Sequence, residues 1–349
     1  MRALQITKWN SDPELVEVPE PSPGPGQVVI KVGAAGVCHS DIHIMRELGD
    51  VAPWPLPFTL GHENAGWVHE VGAGVTGVRP GDAVAVHGAW GCGLCERCRV
   101  GMSNYCDDLL HAPPSSGLGG DGGMAEYLLV PDVSYLVPLP EGLAPVDAAP
   151  LTDAGLTPYH AIKRSWPKLS PSSTAVVIGV GGLGHLAVQI LKATTAARVI
   201  VVDGKKEALE LGLSNGADEA VDASATDLPG AIRAANRGRG ADVVLDFVGS
   251  DATLGTAVAS ARPLGDITIV GIAGGTLPHN FYTVPYEVSI QSVYWGSRPE
   301  LVELLDLGVR GLVRPLVTTW PLADAVGAYR ALEDGNVTGR AVVIPHEKP

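Results

Sequence analysis

Six consecutive residues, Cys38-His39-Ser40-Asp41-Ile42-His43, hold a thiol, two imidazoles, a hydroxyl and a carboxylate. A thiolate binds zinc, and the neighbouring groups suit holding a metal ligand in place, moving a proton or meeting a phosphate. Alone, such a polar loop proves little, so other parts of the chain must complete a site around it. His62 and Glu63, following Gly61, are the first candidates. A cysteine, a histidine and one further ligand, with the fourth position open, describe a catalytic zinc. Taken singly, a lone cysteine reads as a small buried hydrophobe and a lone histidine as surface or core filler.

The other four cysteines run Cys92-x-x-Cys95-x-x-Cys98-x7-Cys106. This spacing places thiolates around one tetrahedral ion, and four sulfurs leave no position open. A structural zinc stapling a loop is expected. An iron–sulfur cluster is the metal alternative, because the opening C-x-x-C-x-x-C has ferredoxin-like spacing. An odd total of five cysteines, four of them crowded together, favours metal over disulfides.

A third motif is Gly179-x-Gly181-Gly182-Leu183-Gly184. It follows the apolar run Thr174–Ile178 and precedes an amphipathic helix expected over His185–Thr194, with Asp203 ending the next apolar strand. Gly179 allows the tight turn, Gly181 lets backbone approach a pyrophosphate, and Gly184 lets the helix pack on the strand. The helix N-terminus stabilises phosphate charge. Asp203 would accept bonds from the adenosine ribose and repel a 2′-phosphate, so NAD is expected over NADP. Lys205 and Lys206 pull the other way.

The elements that position these motifs divide the chain. Up to about residue 130, short strands and Gly-rich turns suggest a small irregular barrel. Val28–Val32 alternates like a half-buried strand, Pro53–Pro57 is a stiff loop, and Ala144–Tyr159 looks largely helical. From Ser173 onward, apolar strands alternate with helices, which means a parallel sheet with helices on both faces. Strands are expected at Val199–Val202, Val243–Phe247 and Ile267–Ile272. After residue 290 the texture returns to that of the first part. The expected fold is therefore α/β: a doubly wound parallel Rossmann sheet inserted in a mainly β barrel domain. The boundaries are 1–154 for the first domain, 155–293 for the insertion and 294–349 for the return.

At 349 residues two domains are expected, and 46% hydrophobic with 18% charged residues is an ordinary globular composition. The net charge of −14 argues against a nucleic-acid partner. No apolar run reaches the ~18–20 residues of a membrane span. The N-terminal residues lack the apolar core of a signal peptide, and a cytoplasmic protein is expected.

Together the Cys38–Asp41 segment, the long Gly61–Val75 signature, the four-cysteine lobe and the dinucleotide fingerprint with Asp203 resemble the zinc-containing medium-chain alcohol dehydrogenases. The resemblance covers essentially the whole chain and is nearest to the bacterial NAD-dependent secondary alcohol dehydrogenases. It implies a GroES-like first domain, one catalytic and one structural zinc per chain, and NAD(H). It implies that Cys38, His62 and Asp153 hold the catalytic zinc, Asp153 standing where many relatives have cysteine. By the same resemblance Glu63 lies beside the metal and ligates it transiently, while Asp41 orients His62. Ser40 takes the alcohol proton and His43 passes it to solvent; the plainer reading of His43 is a surface histidine lining the cleft. His39 stands where numerous relatives have an arginine on the pyrophosphate. Thr157, Val248, Val270 and Ile272 fall where the family holds the nicotinamide. Trp54, Leu118, Phe281, Tyr282, Tyr294 and Trp295 are candidate pocket walls, with ordinary packing as the alternative. The implied reaction is reversible oxidation of a hydrophobic secondary alcohol to a ketone, aryl ketones included. A polyol or sugar-alcohol dehydrogenase is the nearest rival, and a non-catalytic sensor binding NAD and zinc a more distant one. A homo-oligomer, dimer or tetramer, is expected.

Overall fold

A computed structural model describes residues 1–49 and 52–346, so the last three residues of the expected tail lie outside it. The chain forms two compact units. The first comprises Met1–Leu156, Trp295–Arg310 and Pro315–Pro349, and the second Thr157–Tyr294 and Gly311–Arg314.

The first unit is built on a seven-stranded sheet. Its centre is the strand Val28–Gly36, which pairs antiparallel with Glu63–Val71, Tyr127–Val130 and the late strand Arg340–Ile344. Val28, Ile30 and Val32 enter one hydrophobic core with Leu4, Phe58, Leu128 and Val343. The strand is buried along nearly its whole length, not on one face only as its alternation suggests. Trp67 and Pro145 crowd its second face at Gly33.

The helix expected over Ala144–Tyr159 is three pieces. Pro145–Ala148 is α-helical, Ala149–Thr152 tightens to a 3-10 turn, and Leu156–Arg164 resumes as α-helix. Asp153 breaks the run, with φ −138° and ψ −60°. An amphipathic pattern survives such a break, because both helical pieces bury the same kind of side chain. The break leaves the Asp153 carboxylate 14% exposed and facing His62.

The second unit is a six-stranded sheet, parallel throughout. Its spatial order is Glu219–Asp222, Arg198–Asp203, Thr174–Ile178, Ala241–Asp246, Ala261–Ile269, Ser289–Ser292. The order reverses between Thr174–Ile178 and Ala241–Asp246, and such a switch point is where a doubly wound sheet binds its ligand. Thr174–Ile178 is buried on both faces, which explains its continuous apolar run. The fifth strand ends at Ile269, so Val270 and Ile272 lie in the loop beyond it.

One buried group outside these motifs ties the first unit together. His87 follows the strand Ala83–Val86, and its Nε2–H donates to Gly296 O at 2.8 Å. Burial pushes its pKa down from 6.5 to about 4. Between those values the unfolded chain binds a proton there that the folded chain refuses. The stability is therefore complete above pH 6.5 and is lost as pH falls toward 4, by roughly 3 kcal/mol at most. His87→Gln should flatten this acid limb in urea-unfolding curves taken across that range. An unaltered slope would contradict the assignment.

Candidate functional site

The strand Val28–Gly36 delivers the chain to Cys38, the extended N-cap residue of the short helix His39–His43. The next turn, Ile44–Leu48, is π-helical, a form frequent beside functional residues. Ser40 Oγ lies 3.6 Å from Cys38 Sγ. Asp41 turns inward and is fully buried. Its Oδ2 accepts from Cys38 N–H at 3.3 Å and from the Tyr329 hydroxyl at 2.7 Å. Its Oδ1 lies 3.0 Å from His62 Nδ1.

A carboxylate only accepts, so Nδ1 of His62 carries the proton. Nε2 then presents a lone pair to Asp153 Oδ2 at 3.3 Å. Two acceptors that close need a cation or a second proton between them. Burial opposes a charged His62, yet the charge of Asp41 and the bonds to Asp153 and Asp41 outweigh it and raise its pKa well above normal. The pocket therefore attracts positive charge. Donor atoms of Cys38, His62, Glu63 and Asp153 all lie within 4.8 Å of one another. Sulfur, imidazole and carboxylate at that spacing suit zinc.

Glu63 is fully buried. One carboxylate oxygen pairs with Arg340, and Oε2 has no hydrogen-bond partner among the described residues. Burial pushes its pKa up to about 7, against the opposing charge of Arg340. Gly36 makes the room: a Cβ there would lie 1.8 Å from that oxygen. An orphaned buried oxygen in this cluster is a further sign that the donor set fits a metal.

The second cysteine group gathers Cys92, Cys95, Cys98 and Cys106, with all four sulfurs within 4.8 Å of one another. Cys92 N–H donates to Cys106 Sγ at 3.2 Å and Cys95 N–H to Cys92 Sγ at 3.3 Å. Backbone N–H groups, first that of Asp107, bring the Cys95 thiol down to about 6, while burial pushes Cys98 up to about 12. Four thiols this close resist ionising together unless a cation joins them. The set fits a closed structural zinc.

In the second unit Gly179 takes φ +85°, which favours glycine. A Cβ on Gly184 would lie 1.9 Å from Gly179 O, so the helix Gly184–Thr194 can close on the strand only without one. Nothing lies within 4 Å of a Cβ on Gly181, and the N-cap residue Leu183 makes no side-chain cap. The loop thus leaves open space at Gly181, directly before the positive end of the helix, an arrangement that suits a pyrophosphate. Asp203 is held in place by Val180 N–H at 2.8 Å and Lys205 N–H at 2.9 Å. Val248 packs next to Gly179, and the Gly271 backbone lies against that of Val248. Ile272 is exposed, and Thr157 is buried at the start of its helix.

Two family profiles match the chain: the alcohol dehydrogenase GroES-like domain over residues 24–141 and the zinc-binding dehydrogenase domain over 182–310. An NAD-dependent alcohol dehydrogenase of Sulfurisphaera tokodaii is 39% identical, over 99% of this chain and all of its own. The chain belongs to the zinc-type medium-chain alcohol dehydrogenases. This dehydrogenase also matches the solved alcohol dehydrogenase of Aeropyrum pernix with TM-score 0.91 and 37% identity, covering 99% and 100% of the two chains. A D-arabinose 1-dehydrogenase (NADP(+)) of Saccharolobus solfataricus is 34% identical over 99% of this chain and 97% of its own. The chain is thus an oxidoreductase, with the expected GroES-like and Rossmann architecture. Among the described residues, no helix is long and apolar enough to cross a membrane.

Other expected residues of this dehydrogenase fall in varied settings. His43 Nδ1 pairs with Glu47 at 2.8 Å, and His39 is exposed on the same helix. Trp54 packs edge-on against Phe58, and Leu118 lies partly buried against the same core. Phe281 and Tyr282 are exposed by 69% and 89% and pack on each other, and Tyr294 is 49% exposed. Trp295 is buried against His62. Two residues of the site escaped the sequence reading. Arg340 opens an apolar strand, where a lone cation signals a buried partner. Tyr329 sits on the helix Ala325–Glu333 as an ordinary core aromatic, and no sequence signal marks its hydroxyl. Tyr329→Phe should cost about 1.5–3 kcal/mol by removing a hydrogen bond to a buried carboxylate. Urea unfolding at neutral pH measures this, and a loss below about 0.5 kcal/mol would exclude Tyr329 as a support of Asp41.

Proposed function

We propose that the protein catalyses reversible hydride transfer between NAD(H) and a hydrophobic secondary alcohol or ketone. The observation carrying this reading is the convergence of Cys38, His62 and Asp153 around one cation-seeking point. In this assignment residues 1–154 and 294–349 form the catalytic domain, and 155–293 the NAD-binding domain.

Cys38, His62 and Asp153 would hold a zinc whose Lewis acidity lowers the pKa of a substrate hydroxyl, and NAD would supply the hydride acceptor. Asp41 fixes the His62 tautomer, so Nε2 keeps its lone pair for the metal. Glu63, with one oxygen committed to Arg340 and the other unpartnered, is the reserve ligand. Ser40, beside Cys38, accepts the alcohol proton as it releases its own toward His43. The bond between His43 Nδ1 and Glu47 leaves Nε2 as the acceptor that passes the proton to solvent. His39 stands on the same helix as the pyrophosphate clamp. Thr157, Val248, Val270 and Ile272 bound the nicotinamide. The Gly179–Gly184 loop, with Gly181, Gly182 and Leu183, takes the pyrophosphate, and Asp203 the ribose.

Trp54 and Leu118 supply apolar wall, which supports an uncharged, hydrophobic substrate. The exposure of Phe281 and Tyr282 suits a protein contact better than a dry pocket. Together with Tyr286 they form an aromatic patch, and Ser289–Ser292 ends the order of its sheet. This supports a homo-oligomer, dimer or tetramer. Unpaired cysteines and the absence of a membrane-crossing helix among the described residues support the cytoplasm as its location.

Zinc-loaded protein should consume NADH with aryl and alkyl ketones faster than with sugars or polyols. Preference for polyols would favour the sugar-alcohol reading, and failure to reduce any carbonyl compound would refute the enzyme reading. Ser40→Ala should lower kcat by at least ~100-fold while NADH binding, read by fluorescence, stays as in wild type. Retained turnover would remove Ser40 from the relay. Asp203→Ser should shift the kcat/KM ratio of NADP to NAD upward by ~10-fold or more, since a carboxylate repels the 2′-phosphate. A ratio that stays put would assign cofactor choice elsewhere.

A further inference from the structure

Trp295 stands at φ +57°, a left-handed backbone that a residue with a Cβ keeps only where its surroundings fix it. Those surroundings lie on two sides. On one, the indole Nε1–H donates to Thr152 O at 2.9 Å, immediately before Asp153. The ring stands edge-on to His62, with centroids 5.7 Å apart and planes at 80°. Gly88 admits it: a Cβ there would lie 2.6 Å from indole Cζ2 and 2.9 Å from His62 O.

On the other side, the residues that follow rest on the four-cysteine lobe. Gly296 O accepts from His87, whose Nδ1 lies 3.4 Å from Ser103 Oγ, between Cys98 and Cys106. Arg298 N–H donates to Gly101 O at 2.9 Å. A Cβ on Gly101 would lie 2.7 Å from Pro299 Cδ. Ser297 closes the segment by capping the helix Arg298–Val309 reciprocally with Glu300. Residues 295–299 are therefore fixed to the lobe at one end, and to the turn before Asp153 at the other.

We propose that Trp295 is a positioning residue for the catalytic metal ligands His62 and Asp153, and that residues 295–299 carry the folded state of the four-cysteine lobe to them. The indole blocks the space into which the His62 ring would tilt. Its N–H fixes the carbonyl that precedes Asp153, and so the direction of the carboxylate. The proposal rests on the reading of Cys38, His62 and Asp153 as a zinc site.

The test is zinc release from zinc-loaded, full-length protein into a coloured chelator, followed in time. Cys38→Ala identifies the phase belonging to the catalytic ion, because that variant should lack it. Trp295→Phe keeps an aromatic ring but loses the N–H. It should speed the catalytic phase about tenfold, the scale on which groups behind metal ligands act. The phase from the four-cysteine lobe and NADH binding should both stay at wild-type values. Gly101→Ala, made in the lobe and remote from the catalytic ligands, should speed the catalytic phase as well. Catalytic-phase rates within twofold of wild type in both variants overturn the proposal. Acceleration in Trp295→Phe alone overturns the link to the lobe and retains the positioning role, and acceleration in Gly101→Ala alone overturns the role of the indole. If Trp295→Phe does not accumulate as folded protein, Gly101→Ala decides. A release profile that Cys38→Ala leaves unaltered would instead refute the zinc reading, separately from the role of Trp295.

Discussion

A carboxylate removed from water must have its lone pairs met or it costs several kcal/mol. Asp41 obeys this constraint by collecting three donors, Cys38 N–H, His62 Nδ1–H and the Tyr329 hydroxyl. The donors come from the start of one short helix, the residue before a central strand and a late helix. None can withdraw without stranding the charge, so the cost of burying Asp41 enforces the arrangement of the site. Cys38 and His62 stand where they do partly because Asp41 has nowhere else to find protons.

Charge accounting sharpens the same point. A divalent zinc with the Cys38 thiolate and the Asp153 carboxylate sums to neutrality, with His62 neutral. Arg340 balances Glu63 at its side. Only Asp41 remains uncompensated by a full charge, and it has the densest set of hydrogen bonds. The four-cysteine lobe follows the opposite logic. Three of its cysteines are half-buried and Cys106 is buried; their sulfurs take backbone N–H bonds and leave no coordination position free for a substrate.

Much of this was legible in the sequence because it depends on spacing. The cysteine run and the glycine loop are local, and a ligand set within a few residues needs little of the fold to be recognised. The buried run Thr174–Ile178 likewise announced a central parallel strand. What the sequence concealed is the support behind the ligands. Arg340 reaches Glu63 across 277 residues of chain, and Tyr329 reaches Asp41 across 288. A tyrosine on a buried helix face looks the same whether its hydroxyl meets water or a buried carboxylate. The break at Asp153 was hidden for a different reason: both sides of it keep a helical pattern, and only the backbone at one residue departs. Trp295 could be read as a large aromatic near the site, but its left-handed backbone and its contact with His62 are properties of the fold.

The late arrival of Tyr329 and Arg340 has a consequence for synthesis. A ribosome delivers Cys38, His62 and Asp153 well before the residues that hold Asp41 and Glu63 in place, with the entire dinucleotide unit made in between. During that interval the nascent ligand set lacks its outer restraints, and the strand Val28–Gly36 lacks its neighbour Arg340–Ile344. An ion captured then would meet a looser, less selective cage than the finished one. The restraint on Asp41 and Glu63 is thus supplied by the last strand and the last helix of the chain.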